Sequence, residues 1–326
     1  MKKTLLSLAP VSVETLKSLI QRSPGVPEFD VIDGHDMSGE ELAKAFAKAD
    51  IVLGTWIFKL RIGKDLVANA GSLKLIQQPS VGYDNIDIKA CSERGIRVAN
   101  APTGNVVSVA EHTIAMGLAL VRKLVPANSS LRAGRWERLT LEPSELGGKT
   151  WGVVGLGDIG RAVCLRLRPF GLAKVLYYAP HQAAKEVEEQ YGVEYCPLPM
   201  LLKASDIVSL HVPLTGSTRN MIDAGALSSM KSGAYLINVA RGGIVDEAAL
   251  ADALLKQVIA GAATDNFVEE PPGAADPLLK VPQDKILFSP HIAGLSPESV
   301  HRIMMESAEN IARALAGRDP LHVVNP

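Results

Sequence analysis

Short apolar runs with the length of β-strands alternate with stretches that carry apolar residues at helical spacing along most of the chain. In residues 1–100 the runs predict strands, and the stretches between them, such as 13–20 and 40–49, predict helices. This alternation is typical of a parallel sheet covered by helices. The strands predicted for this first series are residues 4–8, 28–32, 51–53, 74–77 and 97–99.

A second series of strands and helices begins after the glycine pair at 147–148. Six strands with intervening helices are what a doubly wound nucleotide-binding domain requires. Residues 106–125 predict one long helix that opens this domain, and residues 296–317 predict another. The six strands are predicted at residues 151–155, 174–178, 206–210, 234–239, 258–264 and 286–289.

The composition is that of a folded globular protein with room for two domains. The chain has 326 residues, of which 47% are hydrophobic and 21% are charged, so a disordered or low-complexity architecture is excluded. Its 34 Lys and Arg residues nearly balance 35 Asp and Glu residues. Because the protein carries no excess of positive charge, nucleic acid is not an expected partner.

Cysteine spacing and apolar segments indicate a cytoplasmic protein. Cys91, Cys164 and Cys196 form neither a C-x-x-C pair nor a metal-ligand pattern, so we expect free thiols and no metal. The basic and then apolar start of the chain resembles a signal peptide, but Pro10 interrupts it and no cleavage pattern follows. The apolar segment 106–125 contains charged side chains, so no membrane association is expected.

A G-x-G-x-x-G motif lies between a predicted buried strand and a helical run. Gly155 permits the tight turn, Gly157 lets the backbone approach a pyrophosphate, and Gly160 lets the helix pack closely on the strand. The first amides of the helix, at Asp158 and Ile159, then face the anion. A glycine-rich turn without a ligand is the alternative, and the strand-to-helix context argues against it.

The acidic residue expected about 20 residues after the glycine motif is missing. The position at the end of the second strand is Ala179, and no acid occurs between Asp158 and Glu186. A carboxylate there would repel a 2′-phosphate, so its absence leads us to favour NADP over NAD. The candidate partners of that phosphate are Arg161, His181 and Lys185.

Six further segments carry a family resemblance: 81–87 (VGYDNID), 109–113 (VAEHT), 145–150 (ELGGKT), 211–215 (HVPLT), 238–247 (NVARGGIVDE) and 289–294 (SPHIAG). Together with the glycine motif they resemble the D-isomer-specific 2-hydroxyacid dehydrogenases. That family includes glycerate and hydroxypyruvate reductases, phosphoglycerate dehydrogenase and D-lactate dehydrogenase. The resemblance covers nearly the whole chain and implies hydride transfer between NAD(P)H and a small 2-oxo acid, giving the D-2-hydroxy acid.

The resemblance also implies an architecture. Residues 1–100 plus 291–326 are expected to form a flavodoxin-like substrate domain, and residues 101–290 a Rossmann cofactor domain, both doubly wound α/β units, with catalysis in the cleft between them. A homodimer built through the cofactor domains is expected, with the helix at 106–125 and the arm around Trp136 at its interface.

Three residues match the family's catalytic Arg, Glu and His. Arg241 is expected to bind the substrate carboxylate and polarise the carbonyl, because its fork suits a planar carboxylate. His291 is expected to act as the general acid, since histidine titrates near neutral pH. Glu270, chosen over Glu269 because Pro271 follows it, is expected to orient the imidazole and favour its charged form.

The resemblance assigns further residues to the cofactor. Asp265 is expected near the nicotinamide carboxamide. His211 is expected beside the cofactor, whereas His112 is expected to have a structural role. The full set of expected cofactor residues adds Ala179, His181, Val212, Pro213, Thr218, Val239, Ala240, Ala293 and Gly294 to those of the glycine motif.

The substrate loop departs from the family pattern. Residues 77–80 read Gln-Gln-Pro-Ser where glycines are common, although the backbone of Ser80, Val81 and Gly82 is still expected to bind the substrate. Trp56 is a candidate for lining the pocket. The identity of the 2-oxo acid stays open, and a phosphorylated or sulfonated one is compatible with cations at Lys59, Arg61 and Arg135.

Two alternatives remain at this point. The same fold serves transcriptional corepressors that bind nicotinamide nucleotides as a signal, and these retain similar residues. Phosphite and formate dehydrogenases share the architecture as well. The pairing of Glu270 with His291 argues against formate, whose enzymes pair the histidine with glutamine, but phosphite is not excluded.

Overall fold

The structure is a computed structural model that describes residues 2–56 and 60–326. Two compact units divide the chain: unit 1 comprises Met1–Asn105 and Ser296–Pro326, and unit 2 comprises Val106–Leu295. Unit 1 is therefore built from two separate stretches of sequence, and unit 2 is continuous.

Unit 1 contains a five-stranded parallel sheet of order β2-β1-β3-β4-β5, the flavodoxin-like order. Helices cover both faces of the sheet, and its central strands are buried. Its first stretch consists of β1 (Lys3–Ser7), α1 (Val13–Gln21), β2 (Phe29–Asp33), α2 (Gly39–Lys48), β3 (Ile51–Leu53), α3 (Lys64–Ala68), β4 (Leu75–Gln77), α4 (Ile88–Glu93) and β5 (Arg97–Ala99).

Unit 2 contains a seven-stranded parallel sheet of order β12-β11-β10-β9-β6-β7-β8. Its elements are α5 (Val106–Val121), α6 (Leu124–Arg132), β6 (Thr150–Val154), α7 (Asp158–Leu167), β7 (Lys174–Tyr178), α8 (Lys185–Tyr191), β8 (Glu194–Tyr195), α9 (Leu198–Ala204), β9 (Ile207–Leu210), α10 (Ala224–Ser229), β10 (Tyr235–Asn238), α11 (Glu247–Leu255), β11 (Gly261–Thr264) and β12 (Ile286–Phe288). The chain then returns to unit 1 as α12 (Pro297–Leu315).

The predicted fold class, two parallel-sheet α/β units, is confirmed. In unit 2 the chain winds one way from β6 to β7 and β8, and the other way from β9 to β12. The carboxyl ends of β6 and β9 therefore flank the switch point, where ligands bind in open α/β sheets. Two apolar clusters fill the two faces of this sheet, with Trp151 and Tyr177 fully buried in one of them.

The prediction of one helix over residues 106–125 was wrong at its end. Helix α5 stops at Val121, Lys123 adopts a left-handed backbone conformation with φ of 55°, and α6 starts at Leu124. Pro126 explains the break, because in a continuous helix its ring would clash with the carbonyl of Arg122. The break leaves α6 as a separate helix.

Two strands also differ from expectation. The two-residue strand β8 was not predicted, because it is too short to show an alternating pattern. Strand β11 begins at Gly261, three residues later than the apolar run suggests, after Gln257 has taken a left-handed conformation.

Among the described residues, no helix combines the length and apolarity needed to cross a membrane.

Candidate active site

The glycine loop after β6 is crowded by backbone. A Cβ at Gly160 would lie 2.1 Å from the carbonyl oxygen of Gly155, and Gly155 itself has φ of 103°. A Cβ at Gly157 would meet nothing within 4 Å, so that side of the loop is open. Gly157 precedes the first turn of α7, whose unpaired amides suit an anion. This loop fits a dinucleotide pyrophosphate.

The end of β9 lies directly against that loop. A Cβ at Gly155 would come 2.9 Å from the carbonyl carbon and oxygen of His211. The Nε2 atom of His211 is 3.0 Å from Oγ of Ser209, which accepts a hydrogen bond from Trp151 at 2.9 Å. Nδ1 of His211 is buried with no partner among the described residues, and burial lowers the pKa of this histidine to about 3. His211 is thus a neutral imidazole at the switch point.

The end of β7 presents no acid at the position expected for a ribose contact. Ala179 is half-buried, and His181 is exposed. The guanidinium of Arg161 donates to the carbonyl of Leu156 at 3.1 Å and lies 5.6 Å from the ring centroid of Tyr191. Arg161 is therefore held against the glycine loop itself.

The turn after β9 is closed by its own side chains. Thr218 donates to the carbonyl of Pro213 at 2.6 Å and accepts from the amide of Thr215 at 2.7 Å. Val212 is buried behind Gly155. The hydroxyl of Thr218, predicted to contact the cofactor, is used within the turn.

Glu270 and His291 form a close pair. Nδ1 of His291 lies 2.7 Å from Oε2 of Glu270, and the other carboxylate oxygen accepts from the amide of Phe267 at 3.1 Å. Burial alone would raise the pKa of Glu270, but the hydrogen bond and charge of His291 outweigh it, with help from Phe267 and Arg241, and lower the pKa below its usual value. Glu270 is therefore paired with Nδ1 of His291 rather than with Nε2.

Arg241 follows β10 in a backbone turn shaped by Asn238. The amide nitrogen of the Asn238 side chain donates to the carbonyl of Arg241 at 2.9 Å, and its oxygen accepts from the amide of Ala240 at 3.1 Å. The Arg241 guanidinium donates to the carbonyl of Ala240 at 2.7 Å. Its charge contributes to the lowered pKa of Glu270, so the structure brings all three predicted catalytic residues into one electrostatic neighbourhood.

In the expected substrate loop of unit 1, the carbonyls of residues 80–82 accept hydrogen bonds, whereas two backbone amides donate none within the described residues. The carbonyl of Ser80 accepts from the amide of Ala101 at 3.0 Å, that of Val81 from the side chain of Asn100 at 2.8 Å, and that of Gly82 from the Ser80 hydroxyl at 2.6 Å. The amides of Val81 and Gly82 donate to no group in the described part of the chain. Successive unused amides make a concavity for an anion.

Comparison with known proteins identifies the family. The model of the D-isomer specific 2-hydroxyacid dehydrogenase NAD-binding domain matches residues 114–293. The chain is 34% identical to hydroxypyruvate reductase of Thermotoga maritima, with 94% of this chain and 96% of that protein covered. The chain belongs to the D-isomer-specific 2-hydroxyacid dehydrogenases. The resemblance stated from sequence is confirmed.

Two further members of the comparison differ in how much of their length the chain covers. It is 40% identical to D-3-phosphoglycerate dehydrogenase of Archaeoglobus fulgidus over 97% of its own length, but it spans only 58% of that protein. It also matches the structure of D-lactate dehydrogenase from Aquifex aeolicus complexed with NAD and lactic acid, with a TM-score of 0.85, 30% identity and 99% of each chain covered.

Asp265 supports the turn that carries His291. It is 1% exposed, and its oxygens accept from the amides of Ile292 and Ala293 at 2.9 Å each and from the hydroxyl of Ser289. His112 joins this cluster, with Nε2 2.9 Å from Oγ of Ser289 and 3.8 Å from the Asp265 carboxylate. The sequence prompted only a cofactor role for Asp265 and did not reveal these contacts.

The other candidates named from the sequence differ in their surroundings. Trp56 packs partly buried against the apolar cluster around α12, and Arg135 is paired with Glu137 at 2.8 Å. Arg61 is exposed, and Lys59 lies outside the described residues. Val239 and Ala240 are buried and directly precede Arg241, and Gly294 follows Ala293 in the histidine turn.

Proposed function

We propose that this 2-hydroxyacid dehydrogenase transfers a hydride between a nicotinamide cofactor and a small 2-oxo acid, giving the D-2-hydroxy acid. The observation that carries the proposal is the 2.7 Å pair of His291 and Glu270, and the charge of Arg241 also acts on the carboxylate of that pair. A cation for a carboxylate and a carboxylate-oriented imidazole are what reduction of a 2-oxo acid requires.

Each of the three side chains has a distinct task in this proposal. Arg241 binds the substrate carboxylate and draws electron density toward the ketone oxygen. When bound, the nicotinamide supplies the hydride for the ketone carbon. Nε2 of His291 gives its proton to the oxygen as negative charge develops there, and the Nδ1 pairing with Glu270 stabilises the imidazolium before transfer. In the oxidation direction Nε2 takes the proton back.

We assign cofactor binding to unit 2. In addition to Arg241, we assign two backbone amides of unit 1 to the substrate carboxylate. The glycine loop, the switch point and the turn at Ala293 and Gly294 support the first assignment. The unused amides of Val81 and Gly82 support the second, because a carboxylate accepts well from backbone donors. These assignments correspond to the predicted division into a substrate domain and a cofactor domain.

The direct test is a panel of 2-oxo acids assayed with NADPH and NADH while nicotinamide absorbance is followed. His291→Ala should lower kcat by about 10²- to 10⁴-fold, since a positioned acid contributes that much. His301→Ala, which removes an exposed histidine of α12, is the matched control and should leave kcat unchanged. Nucleotide binding without oxidation by any acid would favour the corepressor-type reading instead.

We infer a preference for NADP, based on the absence of an acid between Ala179 and Lys185. Titration of each cofactor against protein fluorescence measures it directly, and tighter binding of NADH would contradict it. Ala179→Asp should weaken NADPH binding more than NADH binding, because the new carboxylate repels a 2′-phosphate and accepts from a 2′-hydroxyl.

We further infer a homodimer built through unit 2. The helix α6 and the segment after it expose large apolar side chains: Leu124 is 56% exposed, Leu131 58%, Trp136 79% and Leu139 88%. Exposed apolar patches of this kind mark interaction surfaces. Light scattering at micromolar concentration should report a dimer, and Trp136→Glu should shift it toward monomer.

The buried thiols of Cys91 and Cys164 suit a cytoplasmic location.

A further inference from the structure

Gln78 is a fully buried glutamine immediately after β4 whose side chain joins two loops of unit 1. Its Nε2 donates to the carbonyl of Thr55 at 2.9 Å and to the hydroxyl oxygen of Ser80 at 2.9 Å. Both hydrogens of the amide group are thus used, one on each loop.

The orientation of this carboxamide follows from its partners. A backbone carbonyl only accepts, so the atom facing Thr55 must be the nitrogen. Ser80 has one hydroxyl hydrogen, and it donates that hydrogen to the carbonyl of Gly82 at 2.6 Å. Ser80 must therefore accept from Gln78, which makes a one-directional relay from Gln78 through Ser80 to Gly82.

The other end of the carboxamide is unpaired. Oε1 of Gln78 is buried and has no hydrogen-bond partner among the described residues. It lies against Gly54, where a Cβ would come within 2.3 Å of it. Leaving a buried acceptor unpaired is unfavourable, because the group gives up its hydrogen bonds to water and gains no partner in return. The position thus retains a polar side chain at a cost, which indicates that its donor end is needed.

We propose that Gln78 is a positioning residue of the substrate loop. Its relay through Ser80 holds the carbonyl of Gly82 and thereby keeps the amides of Val81 and Gly82 available for the carboxylate of a 2-oxo acid. Gln78 does not touch the substrate in this proposal. The inference rests on the proposed function, because the carboxylate belongs to the substrate assigned there.

The next residue supplies a matched control. Gln77 is equally buried, but its side chain faces the other way: its oxygen accepts from Asn310 at 2.9 Å, and its nitrogen donates to Ser307 at 3.5 Å and to the carbonyl of Gln78 at 3.2 Å. Gln77→Met and Gln78→Met remove similar numbers of hydrogen bonds at neighbouring sites. Only the second breaks the relay.

The experiment measures KM and kcat for the preferred 2-oxo acid, the Kd of NADPH and the melting temperature. Gln78→Met and Ser80→Ala should each raise KM about tenfold, with kcat changed by less than about threefold and the Kd of NADPH unchanged. Gln77→Met should lower the melting temperature and leave KM within about twofold. Should Gln78→Met fail to fold, Ser80→Ala tests the same relay from its half-buried end.

The double variant separates a relay from general loosening. If Gln78 acts through Ser80, the pair should raise KM no further than either change alone, because both break one chain of hydrogen bonds. Fully additive effects, an unchanged KM in Gln78→Met, or an equal rise in Gln77→Met would each overturn the proposal.

Binding of oxamate by calorimetry keeps this outcome distinct from the failure of the proposed function. Oxamate carries a carboxylate beside a carbonyl and does not accept a hydride. Loss of oxamate binding in Gln78→Met without turnover in the wild type would support the relay and refute the activity. Turnover in the wild type with unchanged oxamate binding in Gln78→Met would do the reverse. A wild type that neither turns over 2-oxo acids nor binds oxamate would overturn both.

Discussion

The two units place comparable loops at the carboxyl ends of buried parallel strands, and they build them from different materials. In unit 2 the loop after β6 is made by backbone: its glycines are required because a Cβ at Gly160 or Gly155 would meet main-chain atoms. In unit 1 the loop after β4 is held by side chains, with Ser80 and Asn100 binding its carbonyls and Gln78 binding Ser80.

The difference affects how each site tolerates change. A loop whose backbone packs against other backbone tolerates almost no substitution at the contacting residues. Residues that point away from these contacts can be substituted without a clash. A loop held by side chains loses its geometry by degrees as individual hydrogen bonds are removed.

Gly160→Ala should unfold or severely destabilise unit 2. The added Cβ lies 2.1 Å from the Gly155 oxygen, and overpacking against backbone should cost at least about 3 kcal/mol. A fall of about 10 °C in melting temperature follows for a unit of this size. Gly157→Ala is the control, because its Cβ meets no atom within 4 Å; it should leave the melting temperature unchanged and weaken only cofactor binding. An unaltered melting temperature in Gly160→Ala would show that the helix does not depend on this close approach.

Asn100→Asp should affect the substrate loop with a smaller stability cost. Replacing the amide that donates to the Val81 carbonyl by a carboxylate removes the hydrogen bond and repels the carbonyl, at about 2–3 kcal/mol. KM should rise about tenfold while the Kd of NADPH stays the same. An equal weakening of cofactor and substrate would mean that the two loops are not independent.

His211, at the edge of the glycine loop, should make the stability of unit 2 depend on pH. Its folded pKa of about 3 lies below the ordinary value of 6.5, so its contribution is complete above pH 6.5 and is lost as the pH falls toward 3. Between pH 7.5 and pH 5 the loss is at most about 2 kcal/mol. Urea unfolding at both pH values should show this loss in the wild type and not in His211→Gln. Identical pH dependence in the two proteins would contradict the buried, neutral state.

The smallest effects are expected at two acidic residues of the family motifs. Asp87 caps α4 through the amide of Ala90 at 2.9 Å, and Asp246 caps α11 through Ala249 at 3.0 Å. Alanine at either position should cost about 1 kcal/mol in unfolding free energy and leave kcat unchanged, and serine should restore most of it. A large fall in kcat with intact stability would instead assign a chemical role to the acid.

The two loops differ in how much of their geometry can be predicted from the sequence, because one is shaped by nearby residues and the other by distant ones. The spacing of Gly155, Gly157 and Gly160 after an apolar strand is visible within six residues, and the structure has the turn that it predicts. The relay of Gln78 cannot be predicted from the sequence, because Thr55 lies 23 residues away and neither segment carries a pattern that indicates contact with the other. The contacts of His112 with Ser289 span 177 residues.

The fold follows the same rule. Apart from β11, the predicted strands lie within one residue of their observed bounds, whereas the two residues of β8 gave no periodic signal. The break between α5 and α6 was missed, because the apolar pattern continues through it and only Pro126 hints at the stop. Local patterns identify elements, but tertiary contacts decide where some of them end.

The discontinuous make-up of unit 1 has a consequence for biosynthesis. Its apolar cluster under β1, β3 and β4 is completed by Met304, Ala308 and Ile311 of α12, near the far end of the chain. A ribosome therefore releases all of unit 2 before the first unit can close its core, and the middle of the polypeptide can mature ahead of its beginning. Until then the early strands present an unfinished apolar face, which makes this the stage at which a chaperone would be most useful.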